Sequence, residues 1–198
     1  MTGVGRRRPG GEAGQGILEF ALVLPVFLLL VLGVVEIGYA MLDQHVVTKL
    51  TREGSNLISR DTTLQDAATA MRSMSTRPVD FTGTESRLIL SVIKRGGTTG
   101  TPNYGKDILY QRYQIGGLPQ PSRLSTRGPV SFGPAPDYTA ANADSNTNLQ
   151  ITNLPAAVVL APGGMLYVTE VYTSHPPITP LAGLGLTVPE TLYSIAYF

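Results

Sequence analysis

Glu19 is the residue whose setting most clearly calls for chemistry, because it is a carboxylate inside an apolar run. Residues 17–35 contain 15 Leu, Val, Ile or Phe side chains among 19. A charge in such surroundings is costly unless a cation or a hydrogen-bond donor offsets it. Cleavage of the chain between Gly14 and Gln15 would release an amino group one helical turn away. We expect Glu19 to pair with that amine, in its own chain or in a neighbour.

The run around Glu19 has the length and composition of one transmembrane helix. Residues 17–35 would span about 28 Å at ~1.5 Å per residue, close to the ~30 Å hydrocarbon core of a bilayer. Pro25 removes one helical hydrogen bond, which membrane helices tolerate. Three arginines at 6–8 precede the run, and only Lys49 and Arg52 follow it closely. This asymmetry favours a cytoplasmic N-terminus and an extracytoplasmic remainder.

A secretory signal peptide is the alternative interpretation of the same run. Gly38 and Ala40 fit the small residues that precede a signal-peptidase cleavage site after Ala40. However, the run exceeds the 7–15 apolar residues that are usual for a signal peptide. The apolar pattern also continues beyond Ala40, which favours an uncut helix at this point.

Residues 37–60 are predicted to extend the helix with an amphipathic face. Apolar side chains recur at spacings of four or seven, which is typical of one stripe on a helix. The stripe consists of Leu42, Val46, Leu50 and Leu57. We expect it to pack on the rest of the chain, with Arg52 and Arg60 off the stripe.

The N-terminal residues resemble a known processing motif. GQGILEF, residues 14–20, is similar to the motif of type IV pilin-like proteins, in which a glycine precedes the cut and a glutamate is the fifth residue after it. The pair of Glu19 and Phe20, the basic leader and the following ALVLPVFLLLVLGVVEIGYA narrow the resemblance to TadE-like pseudopilins, minor pilins of the tight-adherence (Flp) pilus system. Cleavage after Gly16 would make Glu19 the third residue, so the resemblance favours Gly14. Residues 49–60 and, more loosely, 163–185 also resemble this family.

The resemblance implies four parts of the chain. They are a basic leader at 1–14 that prepilin peptidase removes, a transmembrane helix at 15–36, the amphipathic extension at 37–60, and an extracytoplasmic head at 61–198. The size of the region after residue 60 points to a minor component rather than a major pilin. Gly14 and Gln15 then form the processing site, Glu19 is the assembly carboxylate, and Phe20 and Pro25 belong to the motif.

The same resemblance implies location and partners. The chain would be a single-pass protein of the bacterial inner membrane, with incorporation into the pilus, and would be needed for pilus assembly, adhesion or secretion. Its partners would be prepilin peptidase, other pilins and pseudopilins, an inner-membrane assembly platform, a cytoplasmic secretion ATPase and membrane lipid. The alternative is a permanently anchored envelope binding module, which would not be processed.

The region after the helix is predicted to form an antiparallel sheet, so that the fold class is α+β. Four runs rich in Ile, Val, Tyr and Leu have strand character: 87–95, 107–115, 165–173 and 192–198. In the third run Leu166, Val168 and Tyr172 share one face, which we expect to be buried. Thr169 and Thr173 share the other, which we expect to be wetter.

Residues 116–148 differ in composition from the predicted strands around them. The first part is rich in proline and glycine, and the second part consists mostly of Ala, Asn, Asp, Ser and Thr. Such a composition is typical of a long mobile loop or of an interaction surface.

Several classes of function are disfavoured by the sequence. There is no cysteine, and the two histidines, His45 and His175, lie far apart, so we expect no metal site and no thiol chemistry. A net charge of +1 gives no basic footprint for nucleic acid. We therefore expect neither nucleic acid nor a cofactor as a partner.

One segment imitates a phosphate-binding loop. GTPNYGKD, residues 100–107, matches the glycine and lysine spacing of that motif. Asp107 stands where a Mg²⁺-binding hydroxyl is needed, and Pro102 removes an amide donor. We interpret the segment as a hairpin connection between two strands, and we expect no enzymatic activity.

Overall fold

The computed structural model describes residues 12–180, 183 and 189–198. The predicted leader up to residue 11, with its three arginines, and part of the segment 163–185 lie outside the described residues. The chain divides into two compact units. The first contains the residues up to 40 together with 177–188, and the second contains 41–176 and 189–198.

The longest element is helix α1, Glu12–Ile58, which runs through Pro25. Within the second unit, one face of α1 is buried, made up of Val47, Leu50, Thr51, Gly54, Ser55 and Ile58. These positions recur every three or four residues, which is the spacing of one helical face. The helix packs on the rest of the second unit through this face.

The predicted apolar stripe is therefore partly wrong. Leu50 is buried, but Leu42 is 58% exposed, and Val46 and Leu57 are only half-buried. The buried face is rotated from the predicted one because it includes small and polar residues, which a search for apolar spacing passes over. Arg52 and Arg60 are exposed, as predicted.

The buried face of α1 contains small residues because the helix lies very close to the sheet at Gly54. A Cβ atom at Gly54 would lie 2.7 Å from Cγ2 of Thr169 and 2.9 Å from Cε of Met71. The helix backbone thus approaches the sheet more closely than any side chain would allow.

Helix α2, Leu64–Met74, was not predicted. Its N-cap is Thr63, whose hydroxyl oxygen accepts a hydrogen bond from the Asp66 backbone N–H. The buried residues of α2 follow helical spacing: Leu64, Ala67, Ala68 and Met71. A capping threonine before this spacing is a recognisable start signal, and it was overlooked because the two alanines are weakly apolar.

The predicted antiparallel sheet is confirmed, and with it the α+β class. Its four strands are β1 (Ser86–Arg95), β2 (Asp107–Ile115), β3 (Met165–Ser174) and β4 (Thr191–Tyr197). The strand order is β2-β1-β3-β4, and each neighbouring pair is antiparallel. The segment 100–107 lies in the β1–β2 connection and enters β2, so the predicted hairpin is also confirmed.

Both faces of β3 are buried along most of the strand, which corrects the expectation for its threonine side. Thr169 and Thr173 have no exposed surface. Their face is the one that Gly54 of α1 approaches. On the opposite face, Val168 packs in a cluster with Leu124 and other apolar residues. The threonine side is buried because helix α1 packs on it. The alternation of residues within one strand does not show whether a helix packs on a given face.

Residues 116–148 contain no regular helix or strand except the start of a short 3₁₀ helix, Thr147–Leu149. Their backbone bonds to β2, since Ala140 N donates to Tyr110 O at 2.8 Å and Arg112 N donates to Tyr138 O at 3.3 Å. Leu124 is buried against the sheet. The predicted mobility of this segment stays a prediction.

Candidate functional site

The candidate site is the N-terminal part of α1, where the predicted processing residues and the predicted assembly carboxylate lie one turn apart. The side-chain amide of Gln15 donates a hydrogen bond to Glu19 Oε1 at 2.9 Å. Both side chains are exposed. The structure therefore places a donor from residue 15 at the carboxylate, on the same side of the helix.

The backbone next to the predicted cleavage site is sterically open. Among the described residues, nothing lies within 4 Å of a Cβ atom placed at Gly14 or at Gly16. Two glycines flanking Gln15 also weaken the helix locally, by about 1 kcal/mol each relative to alanine. This turn is thus easier to unwind than a helical turn without glycine.

The apolar run of α1 exposes its side chains in every direction. The exposed fraction is 72% for Ile17, 64% for Phe20, 65% for Leu30 and 72% for Val34. Within the described residues, α1 is long and apolar enough to cross a membrane. A surface of this size needs lipid or other helices to cover it. Glu19 and Phe20 both lie on this uncovered surface, and Pro25 lies within the same run.

Glu36 is a second carboxylate at the end of the run, and sequence reasoning missed it. It is 2% exposed. Its carboxylate accepts hydrogen bonds from the backbone N–H groups of Ile178, at 3.1 Å, and Thr179, at 2.8 Å. The one signal in the sequence was the position of Glu36, an acidic residue directly after the apolar run. An acid at such a boundary is ordinarily solvated, so its position did not predict burial.

His175 is buried, and its side chain contacts a carboxylate. It follows β3 directly, and its Nδ1 lies 2.8 Å from Oδ2 of Asp43 on α1. Its Nε2 has no hydrogen-bond partner among the described residues. The pair links α1 to the end of β3 inside the second unit.

A third carboxylate, Glu170 on β3, lies at the centre of a buried polar network. It accepts hydrogen bonds from the backbone N–H of Arg123 at 2.8 Å, from the hydroxyl of Tyr193 at 3.1 Å, and from the hydroxyl of Ser122. Burial, with the nearby Glu170 charge, raises the pKa of Tyr193. Burial also lowers the pKa of Arg112, which the Glu170 charge opposes.

The side chains of this network form hydrogen bonds mainly with one another. Arg112 donates to Ser91 at 3.1 Å and to Ser122 at 2.9 Å. The guanidinium of Arg123 lies 4.2 Å from the ring centroid of Tyr193. The polar groups thus satisfy one another, as buried polar groups must. In the part of the chain that the structure describes, no three His, Cys, Asp or Glu side chains are placed to hold a metal ion.

Comparison with known proteins gives a match within helix α1. Residues 14–56 match the family model of TadE-like proteins. No curated protein and no solved structure gives a significant match. The matched region begins at Gly14 and contains Gln15, Glu19, Phe20 and Pro25. The predicted resemblance is thereby confirmed, and residues 14–56 form a TadE-like region, as in a TadE-like protein of the tight-adherence pilus system.

Proposed function

We propose that the chain is a minor pseudopilin of a tight-adherence (Flp) pilus, cleaved after Gly14 and needed for pilus assembly, adhesion or secretion. The observation that carries the proposal is the contact between residue 15 and Glu19 on an uncovered apolar helix. An anchor that only holds a protein in a membrane has no need of a carboxylate there. A subunit that must pair with a neighbour does.

Processing is the first step of the proposed function. A peptidase needs the chain around the Gly14–Gln15 bond in an extended form, so the first turn of α1 must unwind. The two glycines that flank Gln15 lower the cost of this unwinding. The open space around both glycines gives an enzyme access to the bond.

Assembly is the second step. Cleavage would add a positively charged amine to residue 15, whose side chain already contacts Glu19. In a low-dielectric surrounding, an ion pair between this amine and Glu19 is favourable only when the two groups have the correct geometry. Neighbouring helices in lipid gain little from apolar burial, so such a polar pair sets their register.

The proposed location and partners follow from these two steps. The uncleaved chain lies in the bacterial inner membrane with its N-terminus in the cytoplasm and its head outside it. Prepilin peptidase, other pilins and pseudopilins, the inner-membrane assembly platform and membrane lipid are its partners. The chain has a structural role in this proposal and performs no catalysis.

A pair of glycine substitutions tests the processing step. Gly14→Ala and Gly16→Ala both place a methyl group in open space, so neither disturbs packing within the described structure. With prepilin peptidase present, we expect Gly14→Ala to abolish or strongly reduce cleavage and Gly16→Ala to retain it, as judged by intact mass. Equal cleavage of both variants at the Gly14–Gln15 bond would contradict the assigned site.

A further inference from the structure

The connection between β3 and β4 begins with a segment that has no free backbone donor. Residues 176–180, PPITP, include three prolines, which lack an N–H group. The other two N–H groups, those of Ile178 and Thr179, both donate to the carboxylate of Glu36. A backbone outside regular helices must satisfy every donor in this way in a water-poor environment, because an unsatisfied donor is strongly unfavourable there.

Glu36 fixes the position of this segment along α1. It is the residue directly after the apolar run 17–35, and it is 2% exposed. Its neighbours on the helix, Val34 and Ile37, are 72% and 58% exposed. The hydrogen bonds thus hold residues 178 and 179 at the level where the apolar run ends. If the run crosses a bilayer, this level is the boundary between acyl chains and headgroups.

The side chains of the connection suit the same boundary. Ile178 is 56% exposed although its backbone is fixed. No charged residue occurs between His175 and Glu190 in the sequence. An uncharged segment with an exposed aliphatic side chain gains free energy when it contacts lipid, because apolar surface is removed from water.

We propose that residues 176–180 form a second lipid contact, held by Glu36 at the boundary between acyl chains and headgroups. Glu36 is the positioning residue, because its carboxylate binds both N–H groups and leaves no free backbone donor in the segment. Ile178 is the contacting residue. This inference rests on the proposed membrane anchoring of α1, but it adds a contact that the apolar run alone does not require.

Fluorescence quenching in lipid vesicles tests the contact. The chain has no cysteine, so single variants carry one fluorophore each. Ile178→Cys reports on the segment, Leu24→Cys on the apolar run and Val159→Cys on an exposed apolar residue of the second unit. The full-length chain is reconstituted in phosphatidylcholine vesicles, with nitroxide-labelled lipid as one quencher and aqueous iodide as the other.

We expect lipid nitroxide to quench most of the fluorescence at positions 178 and 24, and iodide to quench it at position 159. Quenching of position 178 by iodide alone, with position 24 quenched by lipid, would overturn the second contact and leave the anchor intact. Failure of lipid to quench position 24 would overturn the anchoring itself. Lipid quenching at 159 equal to that at 178 would also overturn the inference, because the contact would not be specific to the segment.

A substitution of Glu36 tests its positioning role. Glu36→Ala removes the acceptor of both N–H groups, and we expect lipid quenching at position 178 to fall while quenching at position 24 is unchanged. Glu53→Ala, which removes an exposed carboxylate from the same helix, is the matched control and should change neither. Unchanged quenching at position 178 in Glu36→Ala would refute the role assigned to Glu36.

Discussion

Three carboxylates of this chain differ in the hydrogen-bond donors that they receive. Glu170 receives several donors within the second unit and is closed off. Glu36 receives two backbone N–H groups. Glu19 accepts a hydrogen bond from the neutral side-chain amide of Gln15. A neutral amide offsets a charge less well than a cation does, so Glu19 is the carboxylate with most to gain from a new amine.

Removal of the Glu19 carboxylate tests its role in assembly. Glu19→Ala leaves the apolar run more apolar, so we expect membrane insertion and processing to be largely intact. Association with partner pilins should be weakened, because the charge that pairs with the amine is absent. The measurement is co-purification of those pilins from solubilised membranes. Glu53→Ala is the control, and undiminished co-purification in Glu19→Ala would rule out the assembly role.

The Glu170 network predicts a dependence of stability on alkaline pH. The folded-state pKa of Tyr193 is raised, so its contribution to stability is fully present below about pH 10, the unfolded value, and is lost as pH rises towards the folded value. Tyr193→Phe removes a hydrogen bond to a carboxylate, which costs about 1.5–3 kcal/mol at neutral pH. It should also make the alkaline loss of stability shallower.

Denaturant unfolding at about pH 7 and about pH 11 checks this, since the two values lie on either side of the unfolded tyrosine pKa. Tyr172, whose pKa is also raised by burial, is retained in Tyr193→Phe, so the alkaline loss should be reduced rather than abolished. Tyr104→Phe changes an exposed ring and should match the parent chain at both values. An alkaline loss in Tyr193→Phe as steep as that of the parent would contradict the account.

At the scale of elements, periodicity and composition predicted the long helix and the four strands. The four strands lie within about one residue of their predicted bounds, because β-branched and aromatic runs between turn residues are a local signal. The buried face of α1 was predicted only at Leu50, since Gly54 and Ser55 are buried through contacts with residues distant in sequence. Glu19 was singled out by its position in an apolar run and by its motif, and its role stays a prediction. Glu36 was missed because its partners are backbone groups 142 and 143 residues away.

The close approach of α1 to β3 gives a prediction about packing. Gly54→Ala places a methyl group 2.7 Å from Cγ2 of Thr169, and overpacking of this kind typically costs about 1–3 kcal/mol. Alanine recovers about 1 kcal/mol through its helix propensity, so we expect net destabilisation. Thermal unfolding in detergent should show a lower midpoint than for Gly38→Ala, where the methyl group meets nothing within 4 Å. A midpoint equal to or above that of the control would contradict the close packing.

At the scale of the whole molecule, the chain combines two units with different surfaces. The first exposes an apolar helix that needs lipid or other helices around it. The second is an α+β unit whose central strands, β1 and β3, are buried on both faces. A pseudopilin needs both features, together with a cut that turns a membrane anchor into an assembly element. A fixed binding module needs the same two units but no cut.

The intact mass of the chain from its native membrane, with and without prepilin peptidase, tests the central claim most directly. We predict a chain that begins at Gln15 when the peptidase is present and an uncut chain when it is absent. A chain that begins at Met1 or Thr2 in both samples would contradict processing and favour a fixed anchor. A chain that begins at Met41 would show instead that the apolar run is a discarded signal peptide.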